Sequence, residues 1–285
     1  MNDKIFRSLL LASATMLPLI CGGMIFSLVT DAYEAFNHFG FFNFLTSAEW
    51  NYNEANEQYG ALPFITGTLL TTGLALLLCV PFSMPVSLFV GEYFKGTRLA
   101  GFLSTIVDLL AGIPSIIYGL WGFYLLRPII TELNISPEGS SILTASLVLA
   151  IMIVPYASSL SSEFIKMVPA ELKESAYSLG ATRAEVISRV VFPVAGPGIF
   201  SSYVLAIGRA LGETMTVTML IGNTNKIPSS ITSTGNSMAS IIANQFGEAE
   251  GLRLSSLIAI GLILFLITAV INLIGKMLIK NARIS

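Results

Sequence analysis

A guanidinium and a carboxylate four residues apart, inside a stretch apolar enough to cross a membrane, form a group that can handle an anion. Arg209 and Glu213 stand in Ala-Ile-Gly-Arg-Ala-Leu-Gly-Glu-Thr-Met-Thr, residues 206–216. A guanidinium offers paired planar donors that match phosphate, sulfate or carboxylate oxygens. A charge near the bilayer centre costs on the order of 2.5–3.5 kcal/mol, so a chain keeps one where something offsets that cost. On a continuous helix the two residues share a face and each neutralises the other. Arginine before glutamate is the weaker order for helix stability, which argues against a purely local role. Ser202 and Thr216, seven residues either side of Arg209, extend this face into a polar stripe. Glu213 can also accept a hydrogen bond from a protonated oxyanion; phosphate carries such a proton near neutral pH and sulfate does not. Gly208 and Gly212 form a Gly-x-x-x-Gly pair that permits close helix packing. Asp108 is the other charge within a span, followed by Leu-Leu-Ala-Gly-Ile-Pro114-Ser, the signature of an interrupted helix. It is read either as a salt-bridge partner of Arg209 or as part of the anion path.

Other chemistries lack their residues. No Gly-x-x-x-x-Gly-Lys-[Ser/Thr] loop occurs, and the nearest fragment, Gly275-Lys276-Met277, lacks the hydroxyl. The chain is therefore not expected to be an enzyme, and any ATP hydrolysis falls to another subunit. The sole histidine, His38, has no neighbouring cluster with metal-ligand spacing, so no metal site is expected. No catalytic residue is assigned. The basic residues carry no aromatic interleaving, which excludes nucleic-acid binding. Two rivals use the same residues: an ion-coupled secondary anion transporter, and an intramembrane enzyme with Asp108 and Glu213 as an acid–base pair.

The elements that must position these groups are membrane helices. Of 285 residues, 54% are hydrophobic and 11% charged. Six stretches are long enough to span about 30 Å of hydrocarbon, at 8–29, 64–90, 99–126, 142–160, 196–221 and 255–278. With the N-terminus inside, the inner segments hold Lys4, Arg7, Lys95, Arg98, Lys166, Lys173, Arg183, Arg189, Lys276, Lys280 and Arg283. The outer segments hold Arg127, Lys226 and Arg253, an asymmetry that places both termini in the cytoplasm. The first stretch is too long for a signal-peptide core and reads as a retained helix. Cys21 and Cys79 lie inside spans as packing residues. Prolines 81, 85, 114, 155 and 197 lie in or at the ends of spans, where irregular backbone must face protein or a water-filled path. The first outer loop, 31–62, is acidic and aromatic, and is read as an interfacial belt or a docking surface. Within the second, 222–254, Met238, Ile241, Ile242 and Gln245 predict a short amphipathic helix folded back on the membrane.

Between the fourth and fifth spans lies a polar hairpin, residues 169–193. Pro169 suits a helix start, Glu171 and Glu174 favour its positive end, and Leu172, Ala176 and Leu179 make an apolar stripe. Gly180 can end it in a left-handed turn. Thr182 and Glu185 form a capping box for a second helix, which Pro193 is expected to close.

Glu174-Ser175-Ala176, Gly180, Val190, Phe192 and Pro193 resemble the EAA loop of ABC-transporter permeases. That pattern is Glu-Ala-Ala, three residues, Gly, nine residues, Ile, one residue, Leu-Pro. Glu174, Gly180 and Pro193 match, while Ser175, Val190 and Phe192 depart by mild substitutions. Residues 59–68, 110–119, 149–155 and 206–215 are similar to the phosphate-specific ABC permeases, to the PstC type more than the PstA type. One departure is Asn51-Tyr52-Asn53, where the family often has a proline after the tryptophan. The resemblance implies an all-α transmembrane chain of six membrane-spanning helices with the type I ABC importer permease fold and a cytoplasmic coupling-helix hairpin. It divides the chain into a first helix and outer loop, 1–62, and a permease core, 63–285, with the coupling loop at 161–195. It implies a phosphate path at Arg209 and Glu213, to which Asp108 and Thr216 are added on physical grounds. It implies an ATPase contact at Glu174, Ala176, Gly180 and Pro193. Implied partners are a second homologous permease (PstA type), two ATPase subunits (PstB type) and an outer phosphate-binding protein (PstS type), in a bacterial inner membrane. The chain itself would hold no cofactor, ATP and Mg belonging to the ATPase. A sulfate or molybdate permease is the nearest alternative.

Overall fold

The computed structural model describes residues 3–53 and 56–282, which form thirteen α-helices and one small β-hairpin. Helix α1 (Asp3–Phe39) outruns the expected 8–29 because residues 30–39 contain no glycine or proline, and the φ of +78° at Gly40 turns the chain into α2 (Phe41–Thr46). Strands β1 (Trp50–Asn51) and β2 (Gln58–Tyr59) pair antiparallel, Trp50 opposite Tyr59. Helix α3 (Leu62–Leu88) continues through a π turn, Phe89–Tyr93. Helices α4 (Arg98–Ala111), α5 (Ser115–Trp121) and α6 (Arg127–Glu132) make the interrupted third stretch, bent by 91° at residues 112–114. Helix α7 (Ile142–Lys166) leads to the polar hairpin, α8 (Ala170–Ser178) and α9 (Arg183–Val186). Then follow α10 (Phe192–Leu211), α11 (Met215–Leu220), α12 (Met238–Gln245) and α13 (Gly251–Ala282). Five continuous helical runs are long and apolar enough to cross a membrane among the described residues, and the bent pair brings the count to six. Arg283, counted above with the inner cations, lies outside the described residues.

Two expectations are corrected here. Pro193 does not close the helix after the hairpin: α9, a π turn at Ile187–Val191 and α10 form one run, Arg183–Leu211. Pro193 lies in the first turn of α10, and the widened π turn before it accommodates a residue with no N–H to give. The fifth span also stops at Leu211 instead of running to 221, because the backbone leaves the helix at residues 212–214. The amphipathic segment predicted in the second outer loop is α12, with Met238 and Ile241 buried.

Helix α7 is the centre of the bundle, packed on α3, α4, α10 and α11. Small polar residues let backbones approach and bond across helices. Ser146 donates to the Thr71 carbonyl at 3.2 Å, Ser87 donates to the Ser158 carbonyl at 3.2 Å, and Ser83 shares a 2.8 Å hydrogen bond with Tyr203. Helix α1 packs lengthwise on α13, where the Ser255 hydroxyl accepts from the Ala35 N–H and donates to the Asp31 carbonyl. At the loop end Phe44, Trp50 and Tyr59 turn inward on Phe64 and Met238, with Phe36 and Phe39 packed partly against them, while Tyr33, Phe41, Phe42 and Tyr52 stay exposed. Helix α3 runs from this loop end to the hairpin end and ties the two together.

Among the described residues the Gly-x-x-x-Gly pair makes no close contact: Gly208 meets Asn272 only at ordinary distance, and Gly212 meets only its own turn. Close approach falls elsewhere. A Cβ on Gly67 would lie 1.9 Å from the Asn236 carbonyl oxygen, so the second outer loop packs directly on the α3 backbone. We expect Gly67→Ala to destabilise the chain by about 1–3 kcal/mol, read as a lower thermal unfolding midpoint in detergent. Gly73→Ala, with open space around it, should leave that midpoint unchanged or raise it.

Candidate functional site

Two helix breaks meet beside α7. At the first, Pro114 removes a backbone donor and pushes Ile113 off helical geometry, which frees carbonyls at the end of α4. The Tyr118 hydroxyl recovers one of them, donating to the Leu110 carbonyl at 2.8 Å. At the second, α10 ends at Gly212 and α11 restarts at Met215. The Glu213 carboxylate accepts from the Thr216 N–H at 3.2 Å, placing negative charge on the start of α11. The Thr216 hydroxyl donates to the Ser115 carbonyl at 2.8 Å and so binds one break to the other. Gly119 makes the approach possible, since a Cβ there would stand 2.8 Å from the Met219 sulfur and 3.2 Å from Thr216 Cα.

The charges lie at the edge of this arrangement. Arg209 is exposed on the isolated chain, its guanidinium carbon 5.5 Å from the centre of the Tyr156 ring. Asp108 is exposed and accepts from the Ser159 hydroxyl at 3.0 Å. Tyr156 and Ser159 are three apart on α7 and so present one face of it to both charges. The expected ion pairs are not made: the salt bridges among the described residues are Lys166–Glu163 and Lys173–Glu92, and neither involves Arg209, Asp108 or Glu213. Arg209 and Glu213 do not share a helix face, because the helix between them ends. The polar stripe divides too, with Ser202 and Thr216 buried inside the chain and Arg209 outside.

The hairpin closes with a Schellman arrangement. Gly180 takes φ +84°, its N–H donates to the Tyr177 carbonyl at 2.9 Å, and the Ala181 N–H donates to the Ala176 carbonyl at 3.1 Å. The Thr182–Glu185 capping box is present, and the hydrogen bonds from Thr182 hold the Glu185 carboxyl below the usual carboxylate range. The apolar stripe of α8 faces outward: Leu179 is 90% exposed and Leu172 46%, while Ala176 packs partly inward. Glu174 is exposed beside it.

Sequence reasoning missed what fastens this hairpin. Lys173 pairs with Glu92 at 2.5 Å, the two side chains 11% and 9% exposed. Arg183 donates to the Tyr93 carbonyl and to that of Glu92, and lies over the Tyr93 ring at 4.3 Å. The partners are about eighty and ninety residues apart, and the one sequence signal was an acid at the apolar end of α3.

This architecture, a bundle with two broken helices packed together and an anchored polar hairpin at one end, is that of an ABC-importer permease. Residues 83–284 match the model of the binding-protein-dependent transport system inner membrane component family, and the chain belongs to that family. It is 40% identical to the phosphate transport system permease protein PstC of Mesorhizobium japonicum, over 99% of this chain and 91% of that one. It is 40% identical to the same-named protein of Pasteurella multocida, over 98% and 92%. Among solved structures it resembles a bacterial ABC transporter involved in import of the acidic polysaccharide alginate, TM-score 0.66 at 21% identity, covering 98% of both chains. It also resembles the inward-facing MetNI methionine ABC transporter, TM-score 0.62 at 18% identity, over 77% of this chain and 96% of that one. The chain is thus a multi-pass membrane permease of the ABC-importer type.

Removing one partner from a buried ion pair costs about 3–5 kcal/mol, because the other charge stays buried alone. Glu92→Gln and Lys173→Met should each speed hydrogen–deuterium exchange of residues 170–182. The double change Glu92→Leu with Lys173→Met should restore most of the protection.

Proposed function

We propose that this chain forms one half of the channel of an ATP-driven importer of inorganic phosphate. Its other half would be a homologous PstA-type permease, with two PstB-type ATPases inside and a PstS-type phosphate-binding protein outside. The observation that carries the reading is the exposure of Arg209 and Asp108 on the single chain, beside two broken helices. Lipid is a poor neighbour for such charges, so this face is suited to a partner permease and a water-filled path. Arg209, free of any carboxylate partner among the described residues, keeps its donors for an anion. Glu213 spends one oxygen on the start of α11, which leaves the other to accept a proton from hydrogen phosphate. Asp108 lies beside the path and limits how tightly an anion is held. Thr216 acts by position, locking the two breaks together. The names of the relatives at 40% identity support phosphate as the cargo.

The hairpin suits ATPase docking. Leu172 and Leu179 offer apolar surface, Glu174 flanks them, Ala176 and Gly180 shape the turn, and Pro193 marks its exit into α10. The Lys173–Glu92 pair would pass a push on the hairpin directly into α3. The excess of basic residues at this end supports a cytoplasmic hairpin and cytoplasmic termini. ATP and Mg would bind the ATPase alone.

The test is labelled uptake in proteoliposomes holding this chain, its partner permease and ATPase, with the binding protein added. Uptake should require ATP and follow phosphate over sulfate. Arg209→Gln should reduce it by roughly 10- to 100-fold, the worth of a charged hydrogen bond, and Arg209→Lys should retain part of it. Phosphate uptake without ATP would overturn the ABC assignment, and ATP-driven uptake of sulfate or molybdate alone would overturn the cargo.

A further inference from the structure

At the end of the bundle away from the hairpin, a cavity of about 330 Å³ is lined by Tyr52, Asn225, Asn244, Gln245, Glu248 and Arg253, among others. The bonds around it fix which atoms it presents. The Trp50 indole N–H, which can only donate, gives its hydrogen to Gln245 Oε1 at 3.1 Å, so the Gln245 amide NH₂ is left over. The Ser237 backbone N–H donates to Asn236 Oδ1 at 2.9 Å, so the Asn236 NH₂ must donate, and it does, to Asn225 Oδ1 at 2.9 Å. That leaves the Asn225 NH₂ without an acceptor among the described residues. Two amides in the lining are therefore held with their oxygens occupied and their donors free.

Arg253 completes the pattern. Its Nε is fully buried with no hydrogen-bond partner. Among the described residues it makes no ion pair, and its contact is with the Tyr52 ring, 5.2 Å from the ring centre. It stands in the first turn of the 32-residue α13, where the helix dipole already disfavours a cation. A guanidinium so placed calls for an anion, and no described residue forms an ion pair with it. The lining holds one carboxylate, Glu248, an acceptor suited to a proton carried by the ligand.

We propose that this cavity binds a free, singly protonated tetrahedral oxyanion, with hydrogen phosphate as the fitting member of the class. The site rests on the reading that the cargo is an oxyanion, and adds a second station for it ahead of Arg209. A lipid headgroup shares the phosphate chemistry, but a phosphodiester brings no proton for Glu248.

The experiment is equilibrium binding of labelled inorganic phosphate to the assembled membrane complex in phosphatidylcholine nanodiscs, without ATP or binding protein. With the Arg209 station removed by Arg209→Gln, one phosphate site should remain, and adding Arg253→Gln should weaken its binding about 10- to 100-fold. Asn225→Asp, which replaces a donor with a charge of the wrong sign, should weaken it similarly, and membrane levels and thermal midpoints check that both variants fold. Equal binding by Arg209→Gln and by the double variant overturns the site, and normal phosphate uptake by Arg253→Gln alone would leave the cargo reading standing. Binding of sulfate but not phosphate through Arg253 overturns the protonated-ligand assignment and the cargo reading together, while the cavity remains an anion site. Loss of phosphate binding when phosphatidylglycerol replaces phosphatidylcholine would assign the cavity to a headgroup and overturn the proposal.

Discussion

Inside hydrocarbon a backbone N–H or C=O has no water to turn to, and each orphan costs several kcal/mol. The centre of this chain depends on how it meets that constraint at two helix breaks. Three side chains do most of it: Tyr118 for the end of α4, Glu213 for the start of α11, and Thr216 from one break to the other. Because the Thr216–Ser115 bond crosses between the breaks, neither break can relax alone. Irregular backbone thereby becomes a fixed feature of the bundle, and Arg209 and Asp108 are held at its edge with the central helix behind them.

The same logic governs the hairpin end with different means. A short polar helix has too few contacts to hold an orientation by packing, since much of the apolar surface of α8 faces away from the chain. Its position is set by a nearly buried ion pair, Lys173 with Glu92, and by Arg183 on the carbonyls and ring at the end of α3. Such a pair adds little net stability, yet its geometry is specific, because any displacement strands a charge. The hairpin is thus tied to the helix that runs the length of the bundle to the loop end. A force applied to the hairpin reaches α3 without passing through α7.

Much of this was legible in the sequence. Apolar length gave the spans, Gly180 and the Thr182–Glu185 box gave the hairpin ends, and Pro114 gave the first break, because each is a local preference of a few residues. The second break was not legible: residues 206–216 contain no proline, and a glycine pair inside an apolar run reads equally as helix packing. Pro193 misled in the opposite direction, since a π turn is a backbone adjustment with no residue signature of its own.

What the sequence determined by itself was the inventory: membrane helices, a polar hairpin, and a few charges in places that need a reason. Only the tertiary structure decided the pairing. It separated Arg209 from Glu213 and from Asp108, joined Lys173 to Glu92 across the chain, and left Arg253 facing a cavity among amides. The physical reason is range. Helix propensity and hydrophobicity act over a few residues, whereas a charge takes whichever partner the packed helices bring within reach, and that distance is not written in the spacing along the chain.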